Sequence, residues 1–142
     1  MIVLNRTLLG LLAFASGLLF ALHHPVSMPS ESAVMDAFAT EQGARIVWAQ
    51  PESTLCGKAS GCYLPTTDYV AVTVGMPEAW TWEVVRHEVA HVLITRVCSD
   101  AVDEPATEAY SDLYLGGDPA LNGYRYGVGD VERAKNYRKG VC

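Results

Sequence analysis

Val84–Leu93 reads V-V-R-H-E-V-A-H-V-L, with His87 and His91 four positions apart and Glu88 directly after the first. On an α-helix, residues at that spacing leave the same face, so both imidazoles can reach one ion. This H-E-x-x-H pattern suits Zn²⁺, and Glu88 then stands beside the ion as a base for zinc-bound water. The neighbours Val84, Val85, Val92 and Leu93 are apolar, and no charge occupies the two x positions. That pattern predicts a helix buried in the protein, with its histidine face in a defined setting.

Zinc in a catalytic site takes a third protein ligand and keeps one position open. No histidine follows His91, so a carboxylate is expected. The stretch Thr107-Glu108-Ala109-Tyr110-Ser111-Asp112 offers two, one turn apart on a predicted helix. Glu108 stands out; one of the two carboxylates can bind the metal, and the other can accept the free ring N–H of a zinc-bound histidine. Glu104, one turn before Glu108, and Asp112 itself are the alternatives for the third ligand. Asp103 and Glu104, ahead of Pro105, also suit a helix start.

The segment Val84–Asp112 resembles the gluzincin metallopeptidases, the thermolysin-like group that pairs H-E-x-x-H with E-x-x-x-D on the next helix. The longer form of that second motif is often N-E-x-x-S-D; here it is T-E-A-Y-S-D, departing at Thr107. The resemblance implies His87, His91 and Glu108 on a single catalytic Zn²⁺. It also implies Asp112 behind His87, Glu88 as general base, and a peptide or protein substrate. Larger members add a histidine or tyrosine that stabilises the oxyanion. The candidates in this chain are Tyr124 and Tyr126, with Arg125 beside them, in N-G-Y-R-Y-G. The size is that of the minimal gluzincins. The expected fold is α+β: a small zincin-like domain, its short β-sheet packed on an active-site helix and a glutamate helix.

The 142 residues allow one modest domain. Half are hydrophobic, which favours a folded chain, and the net charge of −6 gives no electrostatic case for nucleic acid. Thr7–Leu22 is an uncharged apolar run preceded by Arg6, as in an export signal or an N-terminal anchor. Residues 1–29 are accordingly read as signal peptide or membrane anchor plus linker, and 30–142 as the zinc-peptidase domain. Whether the segment is cleaved stays open; uncleaved, it would leave the domain outside the cytoplasm.

The cysteines agree with export. All four follow the apolar run, and their spacing favours the pairs Cys56–Cys62 and Cys98–Cys142 out of three pairings. Without a C-x-x-C pair, a cysteine zinc site is a weak competitor.

Further along the chain, Ser30 or Ser32 caps a helix over 32–42 that Gly43 stops. Arg45–Gln50 and Tyr69–Val74 read as strands, with Cys62–Leu64 able to pair with the latter. Tyr69–Val74 is further read as an edge strand above the zinc, to which an extended substrate adds. The motif helix starts at Pro77 or Thr81 and runs to Val97. Trp80 and Trp82 are expected to pack near its start. A helix from Pro105 ends at Gly116-Gly117, and Asp130–Lys139 forms the last. Two further readings remain beside the peptidase: a non-catalytic zinc or protein-binding module on the same scaffold, and an accessory membrane protein with an accidental motif.

Overall fold

The computed structural model describes residues 30–99, 103–121 and 123–142. The apolar run Thr7–Leu22 lies outside them. Helix α1 (Glu31–Glu41) begins where the Ser30 hydroxyl accepts the Ala33 N–H, and it stops before Gly43, whose φ is +77°. Three strands follow, β1 (Arg45–Ala49), β2 (Gly61–Tyr63) and β3 (Tyr69–Thr73). They form one sheet in the order β1-β3-β2, with β1 parallel and β2 antiparallel to β3. Helices α2 (Glu78–Val97), α3 (Glu104–Tyr114) and α4 (Val128–Arg138) complete the α+β domain. Among the described residues no helix is long and apolar enough to cross a membrane.

The placement of β3 corrects the edge-strand expectation. Val70, Ala71 and Val72 are buried in succession, so β3 is covered on both faces and lies at the centre of the sheet. The edge strand on the α2 side of the molecule is the three-residue β2.

Helix α2 is the axis of the domain. Val85, Val89 and Val92 pack against Val70 and Val72 of β3 and against Met35 and Ala39 of α1. Ala90 and Ile94 face a second core built from Ala106, Ala109 and Tyr110 of α3 and Ala134 and Tyr137 of α4. The alanines at the α2–α3 contact let the two backbones approach closely, which carries the carboxylates of α3 towards the histidines.

Both expected disulfides are present, Cys56–Cys62 and Cys98–Cys142. The first staples the loop before β2. The second ties the chain's last residue to the end of α2. Disulfides of this kind belong to proteins of oxidising compartments.

Candidate metal centre

His87 and His91 project from α2 into a cleft of about 640 Å³, on the face left free by the two cores. Glu104 enters from the first turn of α3. Its Oε2 lies 2.9 Å from His87 Nε2 and 3.1 Å from His91 Nε2. The three residues form a group that can hold a metal ion, their donor atoms all within 4.8 Å of one another. Two donors about 2.1 Å from a tetrahedral zinc stand roughly 3.4 Å apart, close to the two separations that Glu104 makes with the histidines. The side chain of Glu104 is 36% exposed, which leaves the group open towards the cleft.

Glu108, the expected third ligand, faces the other side of His87. Its Oε2 accepts from His87 Nδ1, and its Oε1 accepts the Gly123 N–H at 3.0 Å. His87 thus has a carboxylate at each ring nitrogen, Glu104 at Nε2 and Glu108 at Nδ1. Asp112, one turn on, accepts from the Tyr126 hydroxyl at 2.6 Å. The carboxylate grouped with both histidines is Glu104, one turn before Glu108. Asp103 caps the start of α3 by accepting the Ala106 N–H, so Glu104 stands in the first turn, next to the histidines. Thr107, the position that departs from the gluzincin pattern, has its Oγ1 3.4 Å from His91 Nδ1.

Glu88 is buried and lines the same cleft. Burial pushes its carboxyl up to about 7, against the lowering effect of the His87 charge and a hydrogen bond from the Tyr63 backbone. His87 is buried too, which alone would lower it. Its hydrogen bonds to Glu104 and Glu108 outweigh burial and raise it to about 9 in the metal-free chain. Glu104 is held down at about 2, chiefly by the hydrogen bond from His87. His91 is lowered by burial and then by the charge of His87.

A tyrosine covers each histidine. Tyr124 stacks on His87 with ring centres 5.3 Å apart, and Tyr63 of β2 stacks on His91 at 5.1 Å. Tyr124 lines the cleft, whereas Tyr126 is turned to Asp112 and anchors the loop. Arg125 is exposed and is not among the lining residues of the cleft. Trp82 packs edge-on against Phe38, as expected for a structural residue. Trp80 instead stands at the cleft, 45% exposed. Sequence reasoning missed Tyr63, Thr107 and Trp80. Of these only Thr107 left a trace, through its departure from the motif. No family model, curated protein or solved structure matches the chain.

Proposed function

We propose that the protein is a zinc-dependent metallopeptidase working in an oxidising compartment, exported either in secreted form or on an N-terminal anchor. The observation that carries this reading is the meeting of His87 Nε2, His91 Nε2 and the Glu104 carboxylate in an open cleft that Glu88 also lines. His87, His91 and Glu104 would hold the ion, with Glu108 orienting His87. Two imidazoles and one carboxylate are a donor set that suits zinc. When bound, zinc supplies Lewis acidity, which activates water and polarises the scissile carbonyl.

Glu88 takes one proton from the attacking water as the new carbon–oxygen bond forms. It returns that proton to the amine nitrogen as the carbon–nitrogen bond breaks. A carboxyl raised towards neutrality by burial suits both steps. Tyr124 keeps its phenol proton, since burial and then the charge of Glu104 raise its pKa. It can therefore donate a hydrogen bond to a carbonyl oxygen that gains charge in the cleft.

The test is metal analysis and peptide cleavage by the purified chain. We expect about one zinc per chain, lost in His91→Ala and kept in Glu88→Gln, with cleavage abolished in both. A folded chain that takes up no zinc would overturn the metal reading. A zinc-loaded chain inert towards a broad peptide library would replace the peptidase with a non-catalytic binding module.

A further inference from the structure

We infer that Gly61 is a positioning residue for Glu88: the missing side chain at 61 lets the edge strand lie directly on the Val84–Glu88 turn of the motif helix. The inference rests on the peptidase reading for its catalytic consequence, but not for its geometry. A Cβ at Gly61 would stand 2.4 Å from Val84 Cγ1, 3.1 Å from Glu88 Cγ and 3.1 Å from the Ala71 carbonyl oxygen. Gly61 is buried and does not have a positive φ, so space and not backbone conformation demands the glycine. Val84 is β-branched and on a helix, where one χ1 rotamer dominates, so its methyl cannot swing aside cheaply. It sits one turn before Glu88 on the same helix face.

The strand register shows what this contact holds in place. Thr73 N–H donates to the Ser60 carbonyl, and Leu64 N–H donates to the Tyr69 carbonyl. Ser60 and Leu64 thus belong to the ladder with β3, as does Cys62 by alternation. The N–H and C=O groups of Gly61 and Tyr63 point to the outer edge. Tyr63 N–H is accordingly free of the ladder, on the strand that Gly61 seats against Glu88 Cγ, and the Tyr63 backbone is near enough to that carboxyl to lower it. Residues 61 and 63 also share one side-chain face, where Tyr63 covers His91. Cys62 points the other way, into its bridge with Cys56. The strand is locked from behind and pressed on the helix in front. A methyl at 61 forces β2 outward and takes Tyr63 N–H away from Glu88, while the methyl itself meets only Val84, Ala71 and Glu88 and none of the metal group.

The experiment compares Gly61→Ala, Gly61→Ala/Val84→Ala and Glu88→Gln in the full chain. Zinc content, kcat and KM on a library-selected peptide, and the Tyr63 amide resonance are measured in each. Glu88→Gln should shift the Tyr63 amide, which reports their contact. Gly61→Ala should shift it in the same sense, keep its zinc, and lower kcat by about 10–100-fold with KM within about twofold. Removing the Val84 methyls in the double variant should restore most of both. An unmoved Tyr63 amide in Gly61→Ala overturns the inference. So does a loss of kcat that comes with loss of zinc, or that Val84→Ala leaves unrepaired. If the zinc-loaded parent is inert, the peptidase reading fails by itself, while the Tyr63 amide still decides whether Gly61 sets the spacing.

Discussion

The two walls of the cleft cover equivalent histidines but are held by different chemistry. On one side β2 lays Tyr63 on His91; on the other, the loop between α3 and α4 lays Tyr124 on His87. The β2 wall is fixed by its ladder to β3, the Cys56–Cys62 bridge and the close seat of Gly61. The loop wall hangs on three carboxylates. Glu83 accepts the Asp118 N–H, Glu108 accepts the Gly123 N–H, and Asp112 accepts from the Tyr126 hydroxyl. The first wall owes its place to a backbone ladder, a covalent bridge and a steric seat, none of which depends on side-chain charge. The second depends on charge-assisted hydrogen bonds, and one of them, through Glu108, continues into His87. A disturbance of the loop is therefore felt at His87, and a disturbance of β2 at Glu88 and His91.

The most severe way to break this comparison is to separate Glu104 from the carboxylate that serves the loop. On the proposed function, Glu104→Ala should lower zinc affinity by more than about a hundredfold, and Glu108→Ala by about 10–100-fold, as for other groups that orient a ligand. Competition against a chromophoric chelator measures both. A larger loss in Glu108→Ala than in Glu104→Ala would reverse the ligand assignment. Glu108→Ala should in addition speed amide exchange at Gly123, which Glu104→Ala should leave alone.

The two disulfides separate the walls by stability instead of metal affinity. Loop-closure entropy predicts that replacing Cys98 and Cys142 by Ser, at a sequence separation of 44, costs about 4 kcal/mol. Replacing Cys56 and Cys62, at a separation of 6, costs about 2 kcal/mol. Denaturant unfolding should show that order. Only the second pair should quicken exchange in β2 while sparing the loop wall. Equal loosening of both walls would mean that they are one cooperative unit.

The sequence announces whatever is local in cause. Ser30, Gly43, Pro77 and Asp103 mark helix ends by their own chemistry, and the structure places the ends there or within a residue or two. The disulfide pairing was legible because a short Cys-to-Cys loop closes easily. The third member of the metal group was harder to read. Glu104, Glu108 and Asp112 recur every four residues and share one face of α3, so spacing alone fits any of them. The choice is made by how far α3 advances along α2, which depends on the Ala90, Ala106 and Ala109 contact, a tertiary fact. The central place of β3 was hidden for a similar reason: YVAVTV has the composition of a strand, and its neighbours are set by the register with β1 and β2. The pairing of Cys62–Leu64 with β3 was legible, but nothing local to so short a strand says that Tyr63 lies over His91.

The mildest test concerns the outermost support of the loop wall. Tyr126→Phe removes the hydroxyl that donates to Asp112 and keeps the ring in place. The bond is part-buried and ends on a carboxylate, so its loss should cost about 1.5 kcal/mol in denaturant unfolding. Because Tyr126 lies at the foot of the loop, zinc content should stay unchanged, while Tyr124 loses part of its fixed position over His87. On the proposed function, that appears as a fall in kcat of a few fold at most, roughly 1 kcal/mol of barrier. Tyr124→Phe should lower kcat by more, since it removes the donor itself. If Tyr126→Phe proved the more damaging of the two, the hydroxyl at 126 would be the one that meets substrate, and the loop wall would have to turn over when substrate binds.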